Sequence, residues 1–208
     1  MKISAAQGKQ NKIHISIDGE YAFTVDAEYW YSCPYYGKEI IEEGEQAAFS
    51  EAVGSRAAFI AGLRLLSYRD HSEKELLLKL RQKGYDVNYA SNAVEKLKDY
   101  GYINDERVAE YYAKSLSERK GMSKNGIKNE LRRKGISSEL ADNVVESLDF
   151  DPILRIIELL NTKYSKYLSD EKGVRKTVAS LQRLGYRWSD IRTALRRVEV
   201  ETEENEDV

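Results

Sequence analysis

One phrase recurs along this chain: LRQKGYD at 80–86, LRRKGIS at 131–137 and LQRLGYR at 181–187. Its glycines, Gly84, Gly135 and Gly185, stand 51 and 50 residues apart, a period that fits three helices and their turns. Flanking positions keep step. Six residues after each glycine come Ala90, Ala141 and Ile191, ten after come Val94, Val145 and Leu195, and thirteen after come Leu97, Leu148 and Val198. That spacing is one face of a helix, repeated three times. Each glycine follows a basic, leucine-bearing segment and precedes a Tyr or Ile. This is the pattern of a helix C-terminus, where glycine takes the left-handed conformation and the next apolar residue tucks under the turn. Lys83, Lys134 and Arg183 at those ends suit the helix dipole. Ser72 to Glu75 reads as a capping box, and Asn104 as the cap that opens the next helix.

The expected fold is mainly α: three tandem three-helix repeats in an elongated, curved body, preceded by a small N-terminal β-hairpin module. The expected helices span 57–68, 73–83 and 88–100, then 106–119, 124–134 and 139–148, then 152–164, 170–184 and 189–200. Neither proline, Pro34 or Pro152, interrupts them. The corresponding segments are a hairpin module with linker at 1–54, repeats at 55–102, 103–150 and 151–200, and a disordered acidic tail at 201–208. In the hairpin, Ile13, Ile15 and Ile17 alternate on one strand, and Tyr21, Phe23 and Val25 on the other, around an Asp18-Gly19 type I′ turn. Two strands alone are marginal in water, so a third near 38–41, or packing on the helices, is expected.

Charge divides the chain the same way. Residues 55–198 hold 29 Lys and Arg against 20 Asp and Glu, a formal +9, whereas residues 1–54 stand at −5 and residues 199–208 at −6. A body of that sign suits phosphates or an acidic protein surface. The single cysteine, Cys33, rules out an internal disulfide, and no secretory leader or membrane span is expected; a reducing cytoplasm and a monomer are.

No enzymatic constellation emerges, and no catalytic residue, cofactor or metal site is expected. His14 and His71 lack ligand neighbours at helical spacing, Cys33 lacks a base, and no phosphate-binding glycine loop is present. The positive signal is basic. Lys120, Lys124, Lys128 and Arg132 lie four apart along α-helical spacing, with Arg133 beside them, and Arg81 and Lys83 occupy the equivalent place one repeat earlier. Arg192, Arg196 and Arg197 extend the theme, whereas Tyr111 and Tyr112 read as core and groove edge, with no aromatic ladder for single strands.

RLLSYRDHSEKELLLKLRQKGYD at 64–86, LKDYGYINDERVAEYYAKSL at 97–116 and GIKNELRRKGIS at 126–137 together resemble the RecX family, over about residues 12–198. The resemblance implies a modulator of the RecA recombinase. Such a protein would bind in the groove of the RecA filament on DNA and block strand exchange, ATP hydrolysis and repressor cleavage, meeting single- or double-stranded DNA directly or through RecA. Arg69, Ser72, Glu75, Leu76, Leu80 and Gly84 match the first-repeat signature, mostly as caps and packing, with Arg69 the member that could reach a partner. The third repeat departs from the pattern, with Leu184 in place of a lysine and extra residues at 164–170. A DNA-binding protein acting alone, with helix-turn-helix-like repeats, is the alternative, and a salt-indifferent peptide scaffold a further one.

Overall fold

The computed structural model describes the backbone of residues 1–206 and the side chains of residues 1–199. Its contacts divide the chain into two compact units, Met1–Asp70 with Leu76–Ile103, and His71–Glu75 with the chain from Asn104 onward.

The first unit opens on an antiparallel sheet of β1 (Ile3–Gln7), β2 (Lys12–Ile17) and β3 (Glu20–Asp26), in that order. Asp18 and Gly19 both take positive φ, 51° and 85°, as a type I′ turn requires. The third strand is β1, not the segment at 38–41. That stretch adds only a bridge from Ile40 to Lys2 and a bond from the Ile3 N–H to the Glu39 carbonyl at 3.0 Å. Nothing in ISAAQ announces an edge strand, since only Ile3 of its residues is buried. Ile13, Ile15, Ile17 and Val25 line the core face as expected, but Tyr21 does not. The ladder shifts register between Ile15 and Ser16, and Tyr21 emerges on the exposed side, its hydroxyl 3.0 Å from Thr24 Oγ1.

A short helix α1 (Ala27–Ser32), not anticipated, brings Trp30 under the sheet beside Cys33 and Phe49. The following helix α2 (Glu43–Tyr68) starts fourteen residues earlier than the expected Ala57. Glu42 and Glu45 form its capping box, and the alanine-rich run 47–58 has high helix propensity, so the supposed linker is helix. Its buried positions Ala58 and Gly62 pack with α3 (Glu73–Gln82) and α4 (Val87–Asp99) around Leu76, Leu80, Ala90, Val94 and Leu97.

In the second unit α5 (Asp105–Lys120), α6 (Lys124–Arg133) and α7 (Ser138–Glu146) enclose Ala109, Leu116, Ile127, Leu131 and Val145. Then α8 (Pro152–Thr162), a 3₁₀ turn (Ser165–Tyr167), α9 (Glu171–Arg183) and α10 (Trp188–Glu206) enclose Ile156, Leu160, Leu181 and Ile191. The fold is thus mainly helical, three three-helix sets after a small sheet. The disorder expected at 201–208 falls on side chains outside the described residues, and the backbone of α10 continues to Glu206.

The three phrase glycines have φ of 91°, 89° and 91°, and the next N–H in each case donates back to Leu80, Leu131 and Leu181 at 3.2, 3.1 and 3.2 Å. These are the six-to-one bonds of Schellman caps. Tyr186, the residue tucked under the last of them, is buried, and its hydroxyl donates to the Gly121 carbonyl at 3.0 Å. Burial pushes its phenol up to about 12. The unfolded chain therefore loses this proton first as pH rises, so the stability it lends is intact below pH ~10 and lost between ~10 and ~12. Tyr186→Phe is expected to cost about 1–2 kcal/mol at neutral pH, and the gap to the wild type should close over that alkaline window in pH-dependent urea melts.

Candidate partner-binding surface

Arg69, Arg81 and Lys83 belong to the first unit, and the remaining candidates to the second. Arg81 and Lys83 are exposed near the end of α3 and make no ion pair among the described residues. Arg69 caps the end of α2 in an extended conformation, and its guanidinium donates to the Asp70 carbonyl at 2.9 Å.

The stripe of the second unit is broken up by its surroundings. Lys120 is the last residue of α5, and Gly121 follows it in the left-handed conformation, so Lys120 does not extend the face of α6. Lys124 stands at the first turn of α6, where a cation meets the helix dipole unfavourably; its ammonium lies 5.7 Å from the Phe150 ring. Lys128 and Arg132 converge on one carboxylate, Asp142 of α7, at 2.5 and 3.6 Å. Arg133 pairs with Glu130 on the surface, a contact worth little in water. Lys134 serves architecture: its ammonium is 3.4 Å from Glu75, which lies 3.2 Å from buried His71, and 4.7 Å from the Tyr112 ring. Lys120 and Lys124 thus remain the least neutralised cations of the stripe, and on α10 Arg192, Arg196 and Arg197 are exposed without an ion pair among the described residues.

Sequence reasoning missed a cleft in the first unit. Between α2 and α4, a 640 Å³ hollow is lined by Tyr29, Phe59 and Tyr100 with Arg56 and Lys96. Arg56 lies 4.8 Å from the Tyr29 ring, and Lys96 lies 5.6 and 5.8 Å from Phe59 and Tyr100. The residues are far apart in sequence, and the late start expected for α2 left Arg56 outside the helix that carries both it and Phe59. Tyr111, expected in the core, is exposed, while Tyr112, expected at a groove edge, is half-buried against the core of the second unit. His14 is a surface group bonded to Thr24, Cys33 is a buried free thiol, and no cluster of three or more metal-ligating side chains occurs among the described residues. No described helix is long and apolar enough to cross a membrane.

Family comparison decides what kind of protein carries this surface. Residues 58–97 match the model of the first three-helix domain of RecX, and residues 104–145 that of the second. Regulatory protein RecX of Caldanaerobacter subterraneus subsp. tengcongensis is 31% identical over 188 residues, spanning 90% of this chain and 93% of that protein. The chain belongs to the RecX family of regulatory proteins. Two RecX crystal structures share the fold. One, at 21% identity, superposes with a TM-score of 0.66 over 94% of this chain and 98% of its own; that of RecX from Lactobacillus salivarius, at 26% identity, gives 0.59 over 72% and 99%. Within this RecX chain the two matched segments contain all the candidate cations, Arg69 through Arg133.

Proposed function

We propose that this RecX family member is a cytoplasmic, non-enzymatic inhibitor of the RecA recombinase. It lies, as a monomer, in the groove of the RecA filament on DNA and suppresses ATP hydrolysis, strand exchange and the filament's coprotease activity. Family membership supports the class of partner. The observation that carries the mode of binding is the +9 of residues 55–198, with exposed cations in both units that have no ion pair among the described residues. Arg81 and Lys83 contribute in the first unit, and Lys120, Lys124, Lys128, Arg132 and Arg133 in the second; Arg69 supports the first from its cap. Their targets are acidic recombinase surface and DNA phosphate.

The test is DNA-dependent ATP hydrolysis by the cognate RecA, with and without this protein, at about 50 and about 200 mM salt. Inhibition below one protein per RecA, weakened at the higher salt, is the expected result. No effect on RecA, together with salt-steep DNA binding by the protein alone, would replace this reading with that of a DNA-binding protein acting by itself.

A further inference from the structure

The second unit contains the same joint twice. At each, the cap and first turn of a helix receive the carbonyl and glycine of a Schellman turn. Ser72, which caps α3 and accepts from the Glu75 N–H at 3.2 Å, donates its hydroxyl to the Lys134 carbonyl. A Cβ on Gly135 would lie 2.5 Å from Lys74 Cβ. Ser123, which caps α6 and accepts from the Gly126 N–H at 3.1 Å, uses its own N–H to donate to the Leu184 carbonyl at 3.0 Å. The approach here is backbone on backbone. A Cβ on Gly126 would overlap the Leu184 carbonyl oxygen and lie 3.0 Å from its carbon, and one on Gly185 would lie 2.5 Å from the Gly126 nitrogen.

A third copy of the receiving half exists at α9. Asp170 caps it and accepts from the Gly173 N–H at 2.6 Å, so Gly173 holds the position of Gly126. Among the described residues, no Schellman turn docks there. Instead, a Cβ on Gly173 would overlap the carbonyl oxygen of Tyr167 and lie 2.9 Å from its carbon, nearly the geometry of Leu184 over Gly126. Tyr167 belongs to the 3₁₀ turn in the stretch 163–170. The links entering α3 and α6 have only four and three residues, so this stretch is longer than the connection requires. The opposite half-joint also stands open. The Lys83-Gly84 turn, in the first of the recurring phrases, is exposed, and a Cβ on Gly84 would meet nothing within 4 Å.

We infer that the socket formed by Asp170 and Gly173 is an interaction surface for the Gly84 turn of a second copy of this chain, and that the 3₁₀ turn is a plug keeping it shut. A socket and a matching turn on the same chain form a heterologous pair, which generates rings or open-ended chains unless one half is blocked. Repeat arrays meet the same hazard with capping repeats at their ends. Here the block is a single carbonyl that occupies the place of the next repeat's carbonyl. The socket itself is buried, with Gly173 inaccessible in the plugged chain.

The experiment is sedimentation velocity of the full chain over a range of concentrations. Wild type is expected as a monomer. Deletion of 165–167 leaves a link of five residues, still longer than those entering α3 and α6, and is expected to produce a concentration-dependent series of larger species. Adding Gly84→Asn should return that variant to monomer, because asparagine tolerates positive φ while its Cβ fills the docking plane. A folded deletion variant that stays monomeric overturns the inference, and association that survives Gly84→Asn overturns the assigned occupant. Should the deletion fail to fold, the combined Ser165→Gly, Lys166→Gly and Tyr167→Gly variant keeps the chain length and loosens the plug. Association reversed by Gly84→Asn supports the inference there too, and a folded monomer overturns it.

Discussion

Gly126→Val is expected to destabilise the second unit by about 3 kcal/mol or more, read as earlier urea unfolding and as faster amide exchange in α6 and α9. Glycine inside a helix ordinarily weakens it by about 0.5–1 kcal/mol relative to alanine, so replacement alone would favour the helix. What reverses the sign is the Leu184 carbonyl, which occupies the space a Cβ needs and is fixed by the Ser123 N–H at 3.0 Å. Neither backbone can yield without breaking that bond or opening the contact of Tyr186 with Gly121. Gly44 supplies the control. It lies in the first turn of α2 with nothing within 4 Å of its would-be Cβ, and Gly44→Ala is expected to stabilise the first unit by about 0.5–1 kcal/mol. If Gly126→Val were neutral, the close backbone approach between the two helical sets would not be what holds them.

What the sequence disclosed was local, and what it concealed came from elsewhere in the chain. The Schellman turns at Gly84, Gly135 and Gly185 were legible because a left-handed glycine, its preceding leucine and its following Tyr or Ile all lie within six residues. The cap at Asn104 is similarly short-range, its side-chain oxygen accepting from the Arg107 N–H three residues on. By contrast, β1 became a strand only by pairing with Ile13 to Ile17, and a bulge of one residue turned Tyr21 outward. The basic stripe illustrates the same divide for function. Four-residue spacing correctly put Lys124, Lys128 and Arg132 on one helix, but the carboxylate that draws two of them together, Asp142, comes from α7. Nor could spacing reveal that Gly126 and Gly173, ordinary in sequence, each sit under a carbonyl from another segment.

The electrostatic reading yields the largest functional effect. Replacing Lys120 with Gln, Lys124 with Glu and Arg133 with Gln in one variant is expected to raise the concentration needed for half-inhibition of RecA ATP hydrolysis by at least about tenfold near 50 mM salt, equivalent to about 1.4 kcal/mol. These three positions leave the Asp142 cluster intact. Lys124→Glu also places an acid at the first turn of α6, where the dipole favours it, so the helix should not weaken. Lys128→Ala makes the complementary comparison: it removes the ammonium 2.5 Å from Asp142 and leaves that carboxylate to Arg132 alone. Its expected loss is one of stability, about 1 kcal/mol, with a smaller change in inhibition. If the cations act through a partner's negative charge, the triple variant must also flatten the salt dependence, because fewer counterions are released when it binds. Equal inhibition by wild type and triple variant at both salt concentrations would remove this face from the interaction and shift attention to the aromatic cleft at Tyr29, Phe59 and Tyr100.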